Sequence, residues 1–139
     1  GLGDVYKRQD LNITQKLLQY INDNITGELT AQKVAKELGI SPYYLSHIFS
    51  SQLNISFPSY VAQQRMILAC NLLKDSRKTV TEISYECGFP NMRTFHRCFQ
   101  KRYECTPTQW RERSHKGTDE KIRHQLWNQE KVESENSLE

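Results

Sequence analysis

The feature that most constrains this chain is an internal repeat. Val34-Ala35-x-x-Leu38-Gly39-Ile40 lies over Ile83-Ser84-x-x-Cys87-Gly88-Phe89 at an offset of 49 residues. Past the glycine the offset becomes 50, so the second copy carries one extra residue in its turn. Leu45 then pairs with Phe95, Phe49 with Phe99, Leu53 with Tyr103, Ser56 with Thr106 and Tyr60 with Trp110. Self-similarity at a fixed period marks a supersecondary unit used twice. In each copy a small residue, Ala35 or Ser84, stands four positions before the glycine. Two helices that cross closely need such a residue there, because a large side chain would clash.

Local signals say what the unit is. Thr79 with Glu82 three residues later forms a capping box, so a helix is expected there with Ile83, Ser84 and Cys87 inward. Gly88 ends it, since glycine accepts the left-handed backbone of a tight turn. Asn91 caps a second helix whose buried face is Phe95, Cys98 and Phe99. Thr106-Pro107-x-Gln109 opens a third helix. The first copy follows the same order: Thr30 caps a helix with Val34, Ala35 and Leu38, Gly39 stops it, and Ser41-Pro42 starts the next, with Leu45, Ile48 and Phe49 inward. A helix, a glycine turn and a second helix with one buried face make a helix-turn-helix. Ahead of it, Ile13, Leu17, Leu18 and Ile21 predict a helix over 10–24. Between the copies, 56–75 reads as one connector helix of about 18 residues, a strut of roughly 27 Å. The polar residues 75–78 after it read as a hinge-like break.

The fold class expected is therefore all-α, about seven helices, divided as a first helix-turn-helix over 10–55, the connector, and a second over 76–114. Residues 1–9 lack an initiator Met and show no periodicity. They read as a fragment end or an artefactual leader, outside the fold, with whatever preceded Asp10 missing. Residues 115–139 are polar, with a frayed helix over 120–129 and disorder beyond as the expectation.

The outward faces carry the functional reading. In the second copy Arg93, His96, Arg97 and Gln100 share the face opposite the phenylalanines, with Met92 beside them. Exposed arginines on an arbitrary helix are usually solvated charges. On the helix after such a turn, arginine suits base reading because its fork gives two parallel hydrogen bonds to guanine O6 and N7. The matching positions in the first copy are Tyr43, Ser46, His47 and Ser50, with Tyr43 or Tyr44 alternatively part of the core. Tyr43, Ser46, His47, Met92, Arg93, His96 and Arg97 are the candidate base readers; Ser50, Gln100, Lys101, Arg102 and Arg111 are the candidate phosphate contacts. Arg65, on the connector, is expected to be structural and to face Glu37 or Glu82.

Charge supports this reading and excludes others. The chain of 139 residues has a formal charge of only +3, yet residues 93–113 hold six Arg/Lys against two Glu. A basic stripe on a near-neutral chain suits phosphate better than a diffuse polycation does. No apolar run approaches the roughly 20 residues of a membrane span. The four cysteines, at 70, 87, 98 and 105, show neither CxxC nor finger spacing. They read as reduced core fillers of a cytoplasmic protein, with a disulfide as the minor alternative. No catalytic, metal or cofactor constellation is present.

The residues resemble the DNA-binding region of the AraC/XylS family of bacterial transcription regulators. The likeness covers about residues 11–113. It rests on Tyr60-x-x-x-x-Arg65-x-x-x-Ala69-x-x-Leu72-Leu73, on Ile83-x-x-x-Cys87-Gly88-Phe89, and on Phe95-x-x-x-Phe99 running into Thr106-Pro107-x-x-Trp110-Arg111. The resemblance implies two reading helices in successive major grooves of double-stranded DNA. It also implies a larger regulator with an upstream sensor or receiver domain, and RNA polymerase as a partner. Two departures stand out: Asn54 and Glu104 occupy the places where the family usually ends its reading helices with glycine, and Ser84 replaces the usual alanine. The competing reading is a helical protein-interaction module of the same fold without specific DNA binding.

Overall fold

The computed structural model describes residues 2–116, 126–129 and 131, with side chains from Leu11 onward. Among them the elements are helical throughout: α1 (Leu2–Asp23), α2 (Ala31–Leu38), α3 (Pro42–Ile48), a π turn (Phe49–Leu53), α4 (Phe57–Asp75), α5 (Val80–Glu86), α6 (Met92–Tyr103) and α7 (107–116). α1 starts at Leu2 and not near Asp10, so residues 2–9 continue a helix that the missing periodicity had hidden. α7 runs to residue 116. Of the segment read as a tail, 126–129 are helical; most of the remainder lies outside the described residues.

The helix starts follow the caps. Thr30, Ser41, Ser56 and Asn91 each accept a hydrogen bond from the backbone N–H three residues on. Thr79–Glu82 and Thr106–Gln109 make reciprocal capping boxes. Each such cap contributes about 1 kcal/mol. Gly39 and Gly88 take positive φ values of 69° and 87°, as the two turns require.

Two cores form, one per helix-turn-helix. The first is built on Leu17, Ile21, Val34, Leu45, Ile48 and Phe49. The second centres on Ile83, Cys87, Phe89, Phe95 and Phe99, with the Phe95, Phe99, Tyr103 and Trp110 rings in contact. Burying each large apolar side chain contributes roughly 1.5–3 kcal/mol. α4 serves both: Phe57 and Val61 pack into the first core, Met66, Ala69 and Leu73 into the second. This division makes α4 the closing helix of one head and the opening helix of the other.

Two arginines replace expectations read from the sequence. Arg65 meets neither Glu37 nor Glu82; its Nε donates to the Ile25 carbonyl (2.9 Å) and Nη2 to that of Gly27 (2.7 Å). Arg111, nominated for phosphate, donates to the carbonyls of Leu73 (2.9 Å) and Lys78 (2.6 Å). Each head thus uses an arginine from its closing helix to hold the link between its opening helix and its helix-turn-helix. The link at 75–78, read from the sequence as a hinge-like break, carries hydrogen bonds of its own. Ser76 Oγ donates to the Leu72 carbonyl, and Lys78 pairs with Glu86.

Candidate nucleic-acid interface

The reading helices α3 and α6 leave opposite faces to the core and to solvent. In α3, Leu45 and Ile48 are buried while Tyr43, Ser46 and His47 are exposed, Tyr43 at 82%. Tyr44, not Tyr43, is the tyrosine that packs on the core. Ser50, in the π turn, is exposed and donates from its hydroxyl to the His47 carbonyl at 3.2 Å; Ser51 donates to the same carbonyl at 2.6 Å. In α6, Phe95 and Phe99 are buried while Arg93, His96, Arg97 and Gln100 are exposed; Met92 is half-buried. Lys101 and Arg102 are exposed near its C-terminal end, with the Arg102 guanidinium 5.7 Å from the Tyr103 ring centre.

A cleft of about 1200 Å³ lies between the two helices. Tyr43, Ser46, His47 and Ser50 line it from the first head, and Arg97 and Thr94 from the second. Arg93, His96 and Gln100 sit on the exposed face of α6 outside the cleft walls. Lys101 and Arg102 border a smaller groove against Pro58, Ala62 and Met66 of α4. Arg111, also read as a phosphate contact, commits its Nε and Nη2 to backbone carbonyls inside the second head.

The cleft also holds residues that were legible only as caps. Thr30 and Ala31 open α2 onto it, and Ser56 and Phe57 open α4 onto it. Helix N-termini present free N–H groups and a partial positive charge to an anion. Their capping chemistry was readable; that they share a face with α3 and α6 depends on how the heads pack.

A family profile described as a helix-turn-helix domain matches residues 34–113, which include both turns and both reading helices. The chain belongs to the AraC/XylS family. This AraC-family chain is 35% identical over 107 residues to the uncharacterized HTH-type transcriptional regulator YijO of Escherichia coli, covering 77% of the chain and 38% of YijO. It is 30% identical over 101 residues to the regulatory protein SoxS of Escherichia coli, covering 73% of the chain and 94% of SoxS. Among solved structures, it is similar to the C-terminal domain of AraT, a response regulator from Geobacillus stearothermophilus. There the TM-score is 0.69 at 32% identity, over 72% of this chain and 84% of that one. The chain is a DNA-binding module of a transcription regulator. No helix among the described residues is long and apolar enough to cross a membrane.

Proposed function

We propose that α3 and α6 enter two successive major-groove faces on one side of a DNA duplex and read an asymmetric site. The observation that carries this is the pair of exposed polar faces, Tyr43–Ser50 and Arg93–Gln100, with both opposite faces buried and one cleft lined by Tyr43, Ser46, His47 and Ser50 from the first and by Arg97 from the second. The covalent repeat supplies what a dimer supplies elsewhere, two reading helices, about 34 Å apart on the duplex. Tyr43, Ser46, His47, Met92, Arg93, His96 and Arg97 face base edges in this reading. Ser50, Gln100, Lys101 and Arg102, with the N-termini of α2 and α4, hold phosphates.

Within a whole regulator, the module acts in the cytoplasm, takes its signal from a sensor or receiver domain joined to it, and contacts RNA polymerase. YijO, of which the chain covers 38%, supports the module as one part of a longer regulator, whereas SoxS, covered to 94%, is little longer than the module. Selection of bound sequences from a random duplex library, followed by footprinting, tests the two-groove reading. Two protected patches one helical turn apart are expected. Binding that competitor DNA of any sequence abolishes equally would instead leave a helical protein-interaction module.

A further inference from the structure

The loop that Arg65 holds is also where the first head touches the second. A β-carbon placed on Gly88 would stand 2.9 Å from the Ile25 carbonyl oxygen, 3.0 Å from that of Thr26 and 3.1 Å from the Thr26 carbonyl carbon. All three are backbone atoms, so nothing can swing aside. Gly39 occupies the same place in the first turn, also at positive φ, and a β-carbon there would meet nothing within 4 Å. A helix-turn-helix by itself therefore asks for glycine's backbone freedom only. The crowding at Gly88 is specific to joining two of them. Arg65 lies at the same seam, with its two donors on the carbonyls either side of Thr26. It lines the cleft together with Phe89 and Pro90, the residues that follow Gly88.

We propose that Arg65, the loop 25–27 and Gly88 form a junction that sets the angle and separation of the two reading helices. Arg65 is then a positioning residue for half-site spacing, acting through the Nε and Nη2 donors that it commits to backbone carbonyls. The inference rests on the two-groove reading above. Its physical basis is that α4 fixes the length between heads, while a backbone-to-backbone contact away from the axis of α4 stops one head rolling against the other. Linked heads held at one separation concentrate their mutual effective concentration on one half-site spacing.

The test uses the full chain and a site selected from random DNA, with variants whose half-sites are moved by one or two base pairs. Arg65→Met keeps the apolar stem and removes both donors. It should weaken the full site about tenfold, leave each isolated half-site within about twofold, and flatten the preference for one spacing. Arg65→Lys, able to reach one carbonyl, should restore part of that preference. Gly88→Ala should flatten it too, whereas Gly39→Ala, comparably strained but uncrowded, should not. In free protein, pulsed spin-label distances between non-natural residues at exposed Lys36 and Thr81 should broaden on Arg65→Met. An unchanged spacing profile, or equal losses on half and full sites with a lowered melting temperature, would overturn the junction. If the wild-type chain selects no two-part site, the two-groove reading fails, and the distance distribution alone decides: broadening upholds the junction, an unchanged width rejects it.

Discussion

Ser84 Oγ is buried with no hydrogen-bond partner, at the helix crossing where the first head has Ala35. An unsatisfied buried hydroxyl costs about 1–3 kcal/mol, so Ser84→Ala should raise stability, by about 1 kcal/mol, in a thermal melt. Glu104 is a second strained position. It ends α6 in the left-handed region at φ 56°, which costs a side chain with a β-carbon roughly 1 kcal/mol relative to glycine. Glu104→Gly should therefore also raise the melting temperature, and a fall would mean that the glutamate makes a compensating contact. Cys87 adds a pH dependence. Burial, and secondarily the Glu86 carboxylate, push its thiol from the ordinary 9.0 up to about 11, against the opposing charge of Arg65. Burial also raises Cys70 and Tyr103. The folded protein keeps the Cys87 proton where the unfolded chain loses it, so that contribution is full below about pH 9 and is lost as pH rises toward 11. Urea midpoints should fall across that interval, and Cys87→Ala should fall less steeply than wild type.

α3 has 7 residues and reaches the 12 of α6 only with the 5 of the π turn that follows it. α6 is regular to its end, whereas the helix begun at Pro42 widens into a π turn at Phe49–Leu53. The hydroxyls of Ser50 and Ser51 both bond the His47 carbonyl, which competes with the backbone N–H that would close an ordinary turn. Their exposed faces differ more. Guanidinium groups stand on α6, at Arg93 and Arg97, where α3 offers Tyr43 and His47. One good bidentate contact to a base is worth about 1–3 kcal/mol. Arg93→Ala or Arg97→Ala should accordingly weaken the selected site more than Ser46→Ala or His47→Ala, and should relax one base pair. Lys101→Ala should weaken selected and scrambled DNA alike and lower the salt slope by about one. Titrations of these variants at several salt concentrations separate the roles. Dominant losses from the α3 variants would make the first head the principal reader.

At the scale of the molecule, two unlike heads on one connector of 19 residues, about 28 Å long, should leave an asymmetric footprint. Hydroxyl-radical footprinting with one chain per duplex should show two protected patches about one helical turn apart, with different sequences in each. A palindromic site that needs two chains would contradict this, because the covalent repeat would then not be acting as its own pair.

Apart from residues 2–9 of α1 and the π turn at Phe49–Leu53, the sequence by itself determined the caps, the two glycine turns, the helices that they start and stop, and the sides of α3 and α6 that are buried. These are local matters: a threonine three residues before a glutamate, or phenylalanines four apart, dictate the same thing in any surroundings. It also carried the resemblance to the family, in the residues Tyr60 to Leu73, Ile83 to Phe89 and Phe95 to Arg111, and the helix-turn-helix profile over residues 34–113 shows that family. What the sequence could not show was the destination of each long polar side chain. Arg65 and Arg111 read as charges seeking acids or phosphate, yet backbone carbonyls some 40 residues away in the chain receive them. Nor could it distinguish Gly88 from Gly39, since both answer the same local need for positive φ. Only the packing of one head on the other brings the Ile25 and Thr26 carbonyls against Gly88. Proximity between segments far apart in sequence depends on the sum of all the packing contacts, and no spacing within either segment encodes it.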